Sequence, residues 1–527
     1  MIVTQKSPTA IVSDCGNVIV SYNTPYSSKE FFNSLNAKWS IQFKSWELPL
    51  TPENSIKIVT SGIFESIDES IKKQANDFQN LQTKKESQIE SKTTSYKHQL
   101  EWVHLIKKLN KCLFLGGVGT GKTKAVIESA IQLNATKILV VVPAPVMANF
   151  ANQVKIHSTF SSSILKGTKT QRLEKLNDTS KNITIINYDV LAMFETELIS
   201  KKFEMVIFDE IHYLKNANSK RSKSAEKIAQ YIPLRLGLTG TLTANGLEQA
   251  FHPSKVIDSQ YFGSNEYSFK AKYMIFQKHV FGNKRFQKHV GYKNKEDFKE
   301  RLAQFSCTYT IDDVTDIPPA TTSPIIIEPS KQLLLEYSKQ IEYRQDNPSM
   351  SAIEFANNLQ KICSNDESKV ESLKHELEQL NGSKCVIWYK FTDTGLNIYK
   401  CLSDCGYGVS IYNGFNRNGL DEFKRENNQI LISQMSMGIG WEIPECQFSF
   451  FYEFTSSKTE NDQSKGRTRR LESDHTQKPV FYFYFLVNKT LDERIFNVIQ
   501  KRNAENADIE QFLKEYQNER GDRLQTD

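Results

Sequence analysis

Two successive series of short apolar runs fix the fold class of this chain before any single residue is weighed. The first reads CLFL, KILVVVP, ITIINY, MVIFDE and LGLTGT between residues 112 and 241. The second reads CVIWYKF, VSIYNG, QILISQ, FSFFYEF and VFYFYFLV between residues 385 and 487. Helix-prone stretches separate the runs. Continuously apolar strands that alternate with helices are buried on both faces of a parallel sheet. The class is therefore α/β, with two parallel-sheet lobes in series.

The flanking segments set the remaining boundaries. Residues 1–63 hold short β-like runs, NVIVSYN and KWSIQFKSWELPL, and predict a small β-rich (α+β) N-terminal domain. Residues 64–95 are polar and helix-prone without a strong apolar stripe, as in a linker. The first lobe spans 96–325 and carries a basic insertion at about 250–310. A helical connector follows at 326–380, then the second lobe at 381–502 and a charged tail at 503–527. A chain of 527 residues is long enough for several such cores.

Composition excludes some classes. The net charge of +6 is too small to assign a nucleic-acid partner by itself, so local patches must carry that argument. Eight scattered cysteines form neither a zinc pattern nor a disulfide framework and read as reduced thiols. No signal peptide and no membrane-length apolar run is present, which predicts a soluble, cytoplasmic protein. The Lys-, Asn-, Ile- and Ser-rich composition points to a bacterial or phage source.

FLGGVGTGKT, 114–123, lies between the strand CLFL and the helical KAVIESAIQL. Its G-x-x-x-x-G-K-T spacing and strand–loop–helix setting are those of a phosphate-binding loop. Backbone N–H groups of Gly116, Gly117, Val118, Gly119, Thr120 and Gly121 would wrap ATP phosphates, with the helix N-terminus adding positive potential. Lys122 would reach the β and γ phosphates, and Thr123 would ligate Mg²⁺.

MVIFDEIH places Asp209 and Glu210 at the C-terminal end of a strand, where ligands sit in open parallel sheets. Asp209 would hold Mg²⁺ and Glu210 would polarise the attacking water. In DQSKGRTRR, Arg467 and Arg470 stand three apart, at helix-neighbour spacing. Their planar guanidinium groups suit the charge that builds on a transferred phosphoryl group. Taken singly, the acidic pair also reads as a solvated turn and the arginines as a solvated helix face.

Together these segments resemble the Swi/Snf-related group of superfamily 2 helicases and DNA translocases. The likeness covers about 96–500. YKHQLEWV resembles the opening glutamine motif, which implies that Gln99 lies near the adenine. VVPAPVMANFANQ and INYDVL resemble motifs Ia and Ib, and FDEIHYLKN, 208–216, is close to the group's DExH-x-L-K-N. LTGTLTANGLEQAF resembles motif III, with Leu242 in place of the usual proline. CVIWYKFTDT resembles motif IV, and SMGIGWEI resembles motif V, with Gly440 at the nucleotide and Trp441-Glu442 where Leu-Asn is usual. QSKGRTRR matches Q-x-x-G-R-x-x-R of motif VI. SCTYTIDDV, 306–314, lacks the paired arginines usual in the family there. The resemblance implies two tandem RecA-like parallel-sheet lobes that hydrolyse ATP, with Lys122, Asp209, Glu210, Arg467 and Arg470 as the catalytic set.

LNAKWSIQFKSWELPL, with Trp39 and Trp46, resembles the HepA-related module of annealing and fork-remodelling helicases; both tryptophans also fit a plain core. FQKHVFGNKRFQKHV, 276–290, repeats one basic, aromatic pentapeptide around Gly282-Asn283 and predicts a β-hairpin within the insertion. Lys278, Lys284, Arg285 and Lys288 would bind DNA phosphates, and Phe281 or Phe286 would press on a base pair or a freed base. A local duplication with solvated charges is the plainer reading. The resemblance as a whole implies an ATP-dependent translocase, working as a monomer on duplex, forked or four-way-junction DNA. Fork reversal, reannealing or branch migration is the expected work, with replication or recombination proteins as further partners. Displacement of DNA-bound proteins is the alternative.

Overall fold

The computed structural model describes residues 8–524 apart from 13–17, 23, 25–27, 36, 41–44, 81–88, 241, 282–283, 315–317, 426–427, 439 and 470–478; the described side chains also exclude 77–80, 280–286 and 519–524. The chain folds as two compact units. Met1–Leu115, Gly121–Thr239 and Glu248–Cys307 form the first, and Gly116–Thr120, Gly240–Leu247 and Thr308–Asp527 form the second.

The first unit opens with a five-stranded sheet of order β3-β4-β2-β1-β5. Its strands are β1 (Thr9–Val12), β2 (Val18–Tyr22), β3 (Lys38–Ser40), β4 (Ser45–Pro49) and β5 (Ser66–Ile67). Ala10, Ile19, Phe32, Leu48, Ile58 and Ile71 make its core. Trp46 stacks on Phe32 at 5.1 Å, whereas Trp39 meets Trp46 edge-on and stays half exposed. The N-terminal domain reaches further than its sequence pattern indicates. β5 pairs with β1, and the helix Glu69–Asn80 buries Ile71 and Ala75 against the sheet. Two apolar residues one turn apart are too short a stripe to stand out in a polar sequence.

The helix Pro52–Thr60 ties this domain to the lobe that follows. Its N-cap, Thr51, accepts a hydrogen bond from the Asn54 N–H at 3.1 Å. In its first turn, the Glu53 carboxylate lies 2.7 Å from Lys111 Nζ and 2.9 Å from Arg235 Nη2. These two cations are register partners at the N-terminal ends of adjacent strands. Burial opposes ionisation of Glu53, but Arg235 and Lys111 hold its carboxyl below the usual range.

Those strands are β6 (Lys111–Gly116) and β11 (Leu234–Thr239) of a seven-stranded sheet, order β14-β6-β11-β10-β7-β9-β8. The others are β7 (Ile138–Val142), β8 (Ser162–Ile164), β9 (Ile183–Asn187), β10 (Met205–Asp209) and β14 (Ser306–Tyr309). The strands β6 to β11 pair in parallel and, apart from the part-exposed edge strand β8, are almost wholly buried, as the apolar runs require. Between β11 and β14, β12 (Met274–Phe281) and β13 (Lys284–Tyr292) form a separate two-stranded antiparallel sheet. The root of this hairpin is fixed. Asp297 accepts from Tyr273 Oη at 2.5 Å and Arg301 Nε at 3.0 Å, and Lys272 Nζ lies 2.7 Å from it. Tyr292 Oη donates to Glu248 at 2.7 Å.

The second unit holds a six-stranded parallel sheet of order β15-β20-β19-β16-β18-β17. Its members are β15 (Thr321–Ile327), β16 (Cys385–Tyr389), β17 (Val409–Tyr412), β18 (Ile430–Gln434), β19 (Phe448–Phe451) and β20 (Phe481–Val487). β15 thus stands in the second sheet, ahead of three helices, Lys331–Asp346, Ala352–Ser364 and Glu367–Gln379. The sequence from Leu491 to Leu524 is one 34-residue helix, where a charged tail is expected from 503. Phe496, Ile499, Asn506, Ile509 and Leu513 are buried along it, at helical spacing among its charges. The helix returns to the start of the unit. Gln517 Oε1 accepts from the Thr308 N–H at 3.1 Å, and Lys514 Nζ lies 2.7 Å from Asp313. Among the described residues, no helix is long and apolar enough to cross a membrane.

Candidate nucleotide site and nucleic-acid surfaces

The phosphate loop turns on two glycines. β6 ends at Gly116, Gly119 and Gly121 take φ of 88° and 74°, and the helix Lys122–Gln132 starts directly after them. Positive φ is costly for any residue with a Cβ. At Gly121 a Cβ would also fall 2.3 Å from Gln99 Nε2. Thr120 Oγ1 donates to the Gly117 carbonyl at 2.9 Å and closes the turn. Gln99 is buried: Nε2 donates to the Gly121 carbonyl at 3.3 Å and Oε1 accepts from the Tyr96 N–H at 2.9 Å. It braces the loop from behind. Along the same helix, Lys124 Nζ donates to Ser91 Oγ at 2.7 Å and pairs with Glu128 at 2.9 Å.

Asp209 closes β10 in a buried position. Burial and the neighbouring Glu210 carboxylate push its carboxyl up to about 7, against the pull of Lys122. The Glu210 N–H donates to Asp209 Oδ1 at 3.0 Å. Glu210 itself holds φ 52° and ψ 51°, a left-handed conformation that costs a glutamate roughly 1–2 kcal/mol. Such strain gathers at functional sites. Three further residues support the pair. Tyr188 Oη donates to the Asp209 carbonyl at 2.7 Å, and His212 Nδ1 lies 3.2 Å from Glu210 and 3.1 Å from Thr239 Oγ1. All three fall inside the motifs quoted from the sequence, but spacing alone assigns them no partner.

In the second unit, Arg467 is buried. Its Nε donates to the Gln463 carbonyl at 3.0 Å and its Nη1 to the Trp441 carbonyl at 2.8 Å. The helix Lys458–Lys465 ends before it, with Gly466 as C-cap, so Arg467 occupies a turn and not the helix face its spacing to Arg470 predicts. Arg470 lies outside the described residues. Gly440, in the preceding motif, takes φ 87°.

Comparison with known proteins now bears on this geometry. The model of the SNF2-related domain matches residues 63–380, more than half of the chain. The chain belongs to the SNF2-related family. The helicase conserved C-terminal domain matches residues 368–472. The chain is 21% identical over 386 residues to the DNA 3'-5' translocase XPB2 of Sulfurisphaera tokodaii, covering 72% of this chain and 80% of that one. It is 31% identical over 181 residues to the ATP-dependent helicase fft1 of Schizosaccharomyces pombe, covering 31% of this chain and only 19% of that protein. The Sulfolobus solfataricus SWI2/SNF2 ATPase core in complex with dsDNA aligns over 77% of this chain and 91% of that one, with TM-score 0.39 and 18% identity. As an SNF2-related protein, the chain is an ATP-dependent enzyme of the helicase and DNA translocase class.

The hairpin of this SNF2-related chain presents exposed Lys278 and Lys288. Register sets Lys288 opposite Gln277, Phe276 opposite His289, and Lys284 opposite Phe281, with an irregularity between Ile275 and Phe276. The side chains of Phe281, Lys284, Arg285 and Phe286 and the turn at 282–283 lie outside the described residues.

Proposed function

We propose that the protein is an ATP-driven DNA translocase that works on branched DNA, reversing forks, reannealing strands or moving four-way junctions in the cytoplasm of a bacterial or phage-infected cell. The observation that carries the motor is the pairing of a glycine-turned phosphate loop with a buried, strained Asp209-Glu210 on the same sheet. The name of the Sulfurisphaera relative, a DNA 3'-5' translocase, supports DNA as the track. An N-terminal sheet clamped to the ATP-binding lobe and a rooted hairpin with exposed lysines support a branched substrate.

ATP phosphates would lie along residues 116–123, with Lys122 at their outer end. Asp209, short of compensating charge, and Thr123 suit Mg²⁺, which supplies neutralisation of the phosphates when bound. Glu210, fixed by His212 on its carboxylate, would orient the attacking water and take up its proton. Arg467, held by two carbonyls, would meet charge on the transferred group. Lys278 and Lys288 would bind phosphates without regard to sequence.

The test is ATP hydrolysis with single-stranded DNA, linear duplex, a fork and a four-way junction, with Lys122→Ala as the control. Stronger stimulation by forks or junctions than by linear duplex is expected. Equal stimulation by every duplex would replace branch remodelling with displacement of bound proteins, and stimulation by no DNA would overturn the DNA track.

A further inference from the structure

Arg467 is held by the helix that precedes it. Its Nε donates to the carbonyl of Gln463, in the last turn of the helix Lys458–Lys465, so the guanidinium follows any movement of that helix. The helix is stiff. Lys458 Nζ pairs with Asp462 at 2.6 Å, and Asn461 Nδ2 donates to the Thr455 and Ser457 carbonyls at 2.8 and 2.7 Å. The helix and its lead-in therefore move as one piece, and whatever fixes their start also fixes Arg467.

The first N–H groups of a helix have no acceptor within it. Ser457, the N-cap, accepts from the Glu460 N–H at 3.4 Å. The Lys458 N–H donates to Asn245 Oδ1 at 3.2 Å, an acceptor 213 residues away in sequence. Asn245 is half-buried in the segment Gly240–Leu247, which belongs to the second unit. The same Oδ1 accepts from Arg502 Nη1 at 2.9 Å, and that guanidinium also binds the Ser456 carbonyl. A bond from a charged donor is roughly twice as strong as a neutral one. Four residues further along the long helix, on the same face, Asn506 Oδ1 accepts from the buried Thr243 Oγ1 at 2.8 Å. Asn506 Nδ2 returns to the Arg502 carbonyl at 2.8 Å, and the Gly246 N–H closes the turn onto the Thr243 carbonyl at 3.0 Å. One amide oxygen thus joins the turn at 243–246, the start of the helix that carries Arg467, and the long C-terminal helix.

We infer that Asn245 is a positioning residue for ATP hydrolysis. Through the Lys458 N–H it sets the helix that presents Arg467, and Arg502, with Thr243 on Asn506, keeps it in place. The inference deepens the reading of Arg467 as the group that meets charge on the transferred phosphoryl group, and rests on it.

The experiment uses the full chain with linear duplex DNA and compares wild type with Asn245→Ala, Asn245→Asp, Arg467→Lys and the double variant Asn245→Ala/Arg467→Lys. The single-turnover hydrolysis rate, the Kd for a fluorescent ATP analogue and Tm are measured. Rates are taken well below the lowest Tm, so that a loss of stability does not enter them. Asn245→Ala is expected to slow hydrolysis about tenfold with Kd unchanged, because a small misplacement of a reacting group costs rate and not binding. Aspartate keeps the acceptor oxygen and should recover most of the rate. Because Asn245 acts through Arg467, the double variant should be no slower than Arg467→Lys alone. A wild-type rate in Asn245→Ala, a rise in Kd in place of the slower rate, no recovery with aspartate, or losses that multiply in the double variant would each overturn the inference while the motor reading stands. A wild-type rate in Arg467→Lys would overturn the reading of Arg467, and the inference with it. A wild-type chain that hydrolyses no ATP would overturn the motor reading and the inference together.

Discussion

Glu53 and Lys111 form a 2.7 Å ion pair between the N-terminal domain and the first residue of the strand that runs into the phosphate loop. Removing the carboxylate would leave Lys111 and Arg235 as neighbouring cations in a largely buried place. Breaking one side of a buried pair costs more than the pair contributes. With Glu53 about a quarter exposed, Glu53→Gln should lower stability by about 2 kcal/mol in urea unfolding at pH 7. Adding Lys111→Met should recover part of that loss, and simple additivity would argue against the clamp. The Glu53 carboxyl is held below its ordinary value, so its contribution is present above the unfolded pKa and is lost as pH falls through the folded one. The difference between wild type and Glu53→Gln should fade below pH about 4.

Asp209 carries the opposite sign. Its carboxyl is raised to about 7, so the nucleotide-free protein is most stable with this group protonated, and that stability is lost as pH rises toward 7. Asp209→Asn should abolish ATP hydrolysis yet raise the Tm of the nucleotide-free protein, by more at pH 8 than at pH 5. Equal Tm gains at both pH values would show that ionisation of Asp209 costs nothing.

Arg467 is positioned through Nε and Nη1 together. Lysine offers neither the fork nor the reach to keep both carbonyls. Arg467→Lys is expected to lower the single-turnover hydrolysis rate at least about a hundredfold while ATP binding, read by fluorescent-nucleotide titration, changes little. A rate near wild type would remove Arg467 from the reaction.

Lys278 and Lys288 lie on opposite strands of a hairpin whose base is locked by Asp297. Hydrogen bonds from Lys272, Tyr273 and Arg301 outweigh burial and hold the Asp297 carboxyl down to about 2, so the root stays ionised at neutral pH. Replacing both lysines with alanine should flatten the plot of log affinity against log salt by about two units, one per lost phosphate contact, with no change in DNA-free hydrolysis. An unchanged slope would leave the hairpin without a role on DNA.

The sequence made some of these features plain and hid others. Lys122 and Asp209 were legible because phosphate chemistry and parallel-sheet burial both leave local patterns, a glycine spacing and an apolar run ending in acid. Gln99 was legible as a motif residue, but its hydrogen bond to Gly121 depends on the packing of two helices. The salt link from Glu53 to Arg235 joins residues far apart in the chain and has no local trace. The stretch from 503 is legible as charged and helix-prone, but its continuity with the helix that starts at Leu491 has no local mark, because the buried Ile509 and Leu513 stand among charges.

That long helix has a consequence for the segment that begins the longest stretch of the second unit. Its Gln517 and Lys514 bind Thr308 and Asp313. Cutting the helix short of Lys514 should therefore release both ties and free the stretch from 308 to 313.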